Sequence, residues 1–132
     1  MTDKEYRDLK KRLEKIIYDW HGALGLGWWN MEYLYNRDGK PPIYSEDTNY
    51  CTVMTCEAKW PYLKATIEIN MPPLLGLDDE TLEADLVHEW MHVFLNEMSE
   101  KNDKDHKHEE RVATQLAKAF IWTRDKGRKE AK

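Results

Sequence analysis

Residues 86–96 read LVHEWMHVFLN. Together with the segment before them they predict a long helix over about residues 79–98. Leu82, Leu86, Val87, Trp90, Met91, Val93, Phe94 and Met98 recur at helical spacing along a broad apolar arc. Asp78 or Asp79 stands where an N-cap is needed, and acidic residues fill the first turn, as the helix dipole favours. His88 and His92 project about 40° apart on the helical wheel, one turn from each other. Their face lies roughly opposite the middle of the apolar arc and is shared by Ala84 and Leu95. Such a helix buries one side in a core and turns two imidazoles toward a cleft with an apolar floor.

Imidazoles at i and i+4 can both reach one zinc ion at a Zn–N distance of about 2.0–2.1 Å. Glu89 lies about 100° round, beside such an ion rather than on it, where a carboxylate can hold a water and take its proton. The competing reading is a pair of structural histidines on a half-buried helix. A catalytic zinc needs a third protein ligand. The downstream candidates are His106, His108, Glu109 and Glu110. Glu109 projects at the centre of the apolar stripe of the last helix. Glu110 projects at its edge, beside Ala113 and Ala117, which are small enough to let another helix approach. A carboxylate aimed into an interhelical cleft calls for a cation, whereas one in the first turn can simply complement the dipole. On these grounds both glutamates remain open.

Working outward, an N-terminal helix is expected over about residues 3–20, with Tyr6, Leu9, Leu13, Ile16, Ile17 and Trp20 on one face. Thr2 and Glu5 have capping-box spacing, and the glycines of HGALGLG end the helix. WWNMEYLY (28–35), CTVMTCEAKW (51–60) and LKATIEINM (63–71) read as strands, the last two forming an antiparallel hairpin through a short turn. NRDGKPPIYSEDTNY (36–50) reads as an irregular loop, since its Asp-Gly and Pro-Pro pairs disfavour regular structure. SEKNDKDHKH (99–108) reads as a flexible link. The last helix is expected over about 107–125, with Val112, Ala113, Leu116, Ala117, Phe120 and Ile121 turned inward. The order α-β-β-β-α-α predicts an α+β fold. It has an N-terminal helix, a small three-stranded, mostly antiparallel sheet, then the histidine helix and the glutamate helix.

The chain has 132 residues, the size of one ordinary domain, and 41% of them are hydrophobic, enough for a real core. Its formal net charge of −5 argues against a nucleic-acid or anionic-membrane binder, whose surface should be basic. MTDKEYRDLKKR carries no signal-peptide h-region and no run approaches a membrane span, so a soluble cytoplasmic protein is expected. Cys51 and Cys56 are five apart in a strand and point to opposite faces, so they should not pair with each other.

His88-Glu89-x-x-His92, followed by a separate helix that opens with glutamate, resembles the gluzincin metallopeptidases. The small size resembles their minimal members, the minigluzincins. ATIEIN leading into LVHEWMH repeats the family's strand-then-helix order. In several gluzincin groups the glutamate ligand opens a Glu-x-x-Ala-(Asn/Asp) run with another small residue seven on. Here ERVATQLA supplies Glu110, Ala113 and Ala117, with Thr114 in place of Asn or Asp. The resemblance, which covers about residues 60–122, therefore implies Glu110 rather than Glu109, against the wheel. It also implies a single domain over 1–132, one Zn²⁺ held by His88, His92 and Glu110, and Glu89 as general base of an endopeptidase. Relatives steady one zinc-bound histidine through the residue that is Thr114 here. The implied partner is an extended peptide or protein, bound by addition to the edge strand before the active helix, expected to be Lys64–Asn70. His106, His108 and Tyr62 are candidates to stabilise the oxyanion. Trp28, Trp29 and Trp60 are candidates to line a pocket. Two other classes compete with this reading: a silent or latent module of the same fold that binds but does not cut, and a metal-free structural domain.

Overall fold

The computed structural model describes residues 1–38, 43–45, 50–96 and 107–130, with backbone alone at 43–45, 50–52, 107 and 108. Helix α1 spans Asp3–Leu24. The capping box is formed: Thr2 Oγ1 accepts the Glu5 N–H at 3.1 Å, and Glu5 Oε1 accepts the Thr2 N–H at 2.8 Å. The helix runs through Gly22 and stops at Gly25, whose φ of +70° gives the left-handed C-cap that glycine adopts without strain. Leu9, Leu13, Ile16 and Trp20 form its buried stripe.

The main sheet contains β1 (Asn30–Asn36), β4 (Met54–Lys59) and β5 (Lys64–Asn70), in the order β1-β5-β4. β4 and β5 form the expected antiparallel hairpin, with Leu63 in a left-handed conformation at the turn. β1, however, pairs with β5 in parallel, so the sheet is mixed. One consequence corrects the sequence reading. Lys64–Asn70 is the central strand with both sides paired, and cannot accept an added strand. Among the described residues β4 is the edge strand on the hairpin side. A second correction concerns the loop at 36–50: β2 (Ile43–Ser45) and β3 (Tyr50–Thr52) pair as a small antiparallel ribbon. The expected strand at 51–60 is accordingly split, its start joining this ribbon.

Alternation along each strand decides what the sheet covers. Tyr33, Ile67 and Cys56 stand in one row by register, flanked by rows Met31–Ala65–Ala58 and Tyr35–Ile69–Met54. These nine side chains belong to the core or pack against it. The opposite face carries Glu32, Glu57, Lys59 and Lys64, all exposed.

Helix α2 spans Asp79–Leu95, capped by Asp78, which accepts the Thr81 N–H at 2.9 Å. Leu82, Leu86, Val87, Trp90, Met91 and Val93 are buried, while Phe94 is not. Helix α3 runs from Lys107 to Glu130. Among its described residues Ala113 and Ala117 are the buried ones; Val112 and Phe120, expected inside, are exposed. The reason is contact area: α3 meets the body of the protein along Ala113 and Ala117, with Leu116 and Ile121 partly buried against the core as expected, while Val112 and Phe120 lie outside that contact. Near its far end the Arg124 guanidinium engages both oxygens of Glu83 on α2, with Nη2 to Oε1 at 2.7 Å, and stacks 5.0 Å from the Trp20 ring centre. Trp20 Nε1 donates to the same carboxylate at 2.9 Å. These bonds outweigh the cost of burial and lower the Glu83 pKa, so the pair stays ionised and ties α1, α2 and α3 together. The expected link at 99–108 lies largely outside the described residues, as do Met98, His106 and the side chains of Cys51 and His108. Cys56 is a free thiol. Among the described residues no helix is long and apolar enough to cross a membrane.

Candidate metal centre

Helix α2 presents His88 and His92 one turn apart on the side away from Trp90 and Val93. The close α2–α3 approach over Ala113 brings the first turn of α3 opposite them. His88 Nε2 and His92 Nε2 are 3.2 Å apart. The Glu110 carboxylate bridges them, with Oε1 2.7 Å from His92 Nε2 and Oε2 3.2 Å from His88 Nε2. One donor atom from each of His88, His92 and Glu110 lies within 4.8 Å of the others. Glu109 is placed differently. Its Oε1 sits 2.8 Å from His92 Nδ1, on the far side of the ring from Glu110, and its side chain is 15% exposed against 55% for Glu110. Thr114 Oγ1 lies 3.5 Å from His88 Nδ1, at the outer limit of a hydrogen bond.

These contacts constrain the protons. A carboxylate only accepts, so Nδ1 of His92 donates to Glu109, and a neutral ring then offers a lone pair at Nε2. That lone pair and the Glu110 carboxylate, both acceptors 2.7 Å apart, need a proton or a metal ion between them. Donors at about 2.0–2.1 Å from a tetrahedral zinc stand about 3.3 Å apart, close to the spacing of the two nitrogens. Two imidazoles and one carboxylate are also a donor set suited to zinc with one position open. The residues present therefore fit a zinc ion.

The charges around the cluster are unequal. Burial lowers the pKa of His88, outweighing the Glu110 carboxylate. For His92 burial acts in the same direction, but the Glu109 hydrogen bond and three nearby carboxylates outweigh it and raise the pKa. Burial pushes Glu89 up to about 7, with Glu110 and Asp85 adding to the rise and His92 opposing it. A divalent cation at the cluster would pull Glu89 back down.

The histidines and the three glutamates line one cleft of about 660 Å³ between β4, α2 and α3. Its further walls include Val53, Met54 at the start of β4, Cys56, Asp85, Lys118 and Ile121. Burial pushes the Cys56 thiol up to about 12, so it stands there as a protonated thiol. Tyr62 is 79% exposed on the β4–β5 turn and does not line the cleft. Neither do Trp28 and Trp60, which are exposed, nor Trp29, which packs on the core. Sequence reasoning missed two features. Glu109 is read from the sequence as a rival ligand or a first-turn residue that complements the dipole, whereas it reaches His92 Nδ1 from behind. Asp85 lies seven positions before His92, two helical turns on the same face, and that spacing was sufficient to find it.

Compared with known proteins, the chain matches no protein-family model and no curated protein.

Proposed function

We propose that this chain is a zinc-dependent peptidase of the gluzincin kind, with His88, His92 and Glu110 holding the ion and Glu89 acting as general base. The observation that carries the reading is the convergence of two Nε2 atoms and one carboxylate at zinc-like spacing, beside Glu89 in an open cleft. Bound zinc would supply Lewis acidity, polarising a scissile carbonyl and acidifying a water. Glu89 takes the proton of the attacking water and passes it to the leaving amine. A substrate in extended form would add to the edge strand β4, which borders the cleft.

Metal analysis tests this reading directly. The purified protein is expected to hold about one zinc per chain, and His88→Ala to lose it. A protein that takes up no zinc would eliminate the reading in favour of two structural histidines.

In this reading Glu109 orients His92 from behind and makes its Nε2 a better ligand. Glu109→Gln is expected to weaken zinc binding by about 10–100-fold, measured by competition with a chromophoric chelator. Glu110→Gln removes a ligand and should weaken it further. Equal losses in the two variants would mean that the assigned roles are wrong.

A further inference from the structure

The cleft holds a carboxylate for which the proposed chemistry has no use. Asp85 stands on α2, three residues before His88 and four before Glu89, so it projects from the same face about one turn, 5.4 Å, toward the helix start. It is half-buried in the cleft wall. Among the described residues no hydrogen bond or ion pair engages it. Val53 and the start of β4 that border the cleft, with Met54 and Thr55, bring no cation to it. Lys118 of α3 lines the same cleft, but its side chain is exposed and no ion pair joins it to Asp85. Burial raises the Asp85 pKa, in keeping with a carboxylate short of partners. A half-buried carboxylate without a partner is costly, and a cationic group entering the cleft would offset that cost.

We propose that Asp85 is a specificity residue that selects a lysine or arginine side chain of the peptide, next to the bond that Glu89 serves. The inference rests on the peptidase reading for the identity of that bond. Its chemistry follows from the walls. Ala84 and Ala117 are small and Ile121 is apolar, so a long aliphatic stem fits between α2 and α3 while its charged end reaches Asp85. One helical turn from Glu89 is about the reach of such a stem, which assigns the basic residue to a position flanking the scissile bond. A glutamate there would meet Asp85, Glu89 and Glu110 and be rejected by like charge.

The test separates this inference from the peptidase reading. Glu89→Gln protein with zinc is titrated calorimetrically with blocked peptides that differ only in lysine, glutamine or glutamate at one position, scanned along the peptide. At one position the lysine peptide should bind about tenfold tighter than the glutamine peptide. Adding Asp85→Asn should bring the two within about twofold, whereas Asp85→Glu, which keeps the charge, should retain most of the difference. Absence of binding, equal affinities, or a lysine preference that survives Asp85→Asn would overturn the proposal. The same peptides are then offered to the wild type. Cleavage without lysine preference sinks this inference and leaves the peptidase standing. Lysine-selective binding through Asp85 with no cleavage does the reverse.

Discussion

Glu89→Gln is expected to lower kcat/KM for peptide cleavage by about 10²–10⁴-fold while zinc content stays at the wild-type level. The substitution keeps the shape of the side chain and removes its ability to take a proton. Glu89 is not among the converging donors, so the ligand set should survive. Stability should survive too, and the sign can be worked out. Burial raises the folded-state pKa of Glu89 from 4.5 to about 7. A carboxyl whose pKa is raised by folding costs stability once pH exceeds its unfolded value, because the folded state disfavours the ionised form. In metal-free protein at pH 8 the glutamine variant should therefore melt no lower than wild type. Cleavage of a mixed peptide library, metal analysis and a thermal melt on the same preparations decide the matter. Equal cleavage by both proteins would remove Glu89 from the mechanism. A wild type that binds zinc but cuts nothing would favour the reading of a binding module that keeps the fold without the reaction.

The second large effect lies on the opposite side of the same helix. Trp90 is fully buried, and its Nε1 donates to Tyr33 Oη at 2.9 Å. The His21 ring meets it edge-on at 5.9 Å, and His21 also contacts the Tyr33 hydroxyl. Trp90 thus joins α2 to β1 and α1 on the side of the helix away from His88 and His92. Trp90→Ala removes the largest fully buried side chain and should cost about 3–5 kcal/mol. Set against a total of about 5–15 kcal/mol for a typical domain, that loss leaves the protein near its limit and lowers Tm by about 10–25 °C. Trp90→Phe keeps most of the ring volume and loses the hydrogen bond, so a smaller cost of about 1–3 kcal/mol is expected. Chemical denaturation of the three proteins measures both differences. A cost below about 1 kcal/mol for the alanine variant would show that α2 is not anchored through this ring.

Local signals carried a large part of the architecture. Thr2 with Glu5, and Asp78 before its acidic turn, marked helix starts because capping is a matter of a few adjacent residues. Alternation in Lys64–Asn70 marked a strand with one buried face. The four-residue spacing of His88 and His92 put both rings on one side of α2, since the helix itself enforces that geometry. Where contacts depend on segments far apart, the sequence was silent. Nothing in Asn30–Asn36 states whether it runs with or against β5. That pairing makes β5 the central strand and β4 an edge strand among the described residues. Val112 and Phe120 had the spacing of a buried stripe. Burial, however, is settled by how much of a neighbour reaches the helix, and the part of α3 that is covered takes in Ala113, Leu116, Ala117 and Ile121 but not Val112 or Phe120.

The two adjacent glutamates show the same division most sharply. The sequence by itself determined that two imidazoles share a helix face and that a carboxylate lies beside them, because the helical repeat leaves no other arrangement. It also determined that Glu109 and Glu110 open the next helix. Only the tertiary structure decided that Glu110 meets both Nε2 atoms while Glu109 meets Nδ1 of His92 from behind. Successive residues on a helix point about 100° apart, so the angle at which α3 docks against α2 selects which carboxylate faces which nitrogen. That angle comes from the Ala113–Ala117 contact and the Glu83–Arg124 pair, neither of which any single segment contains.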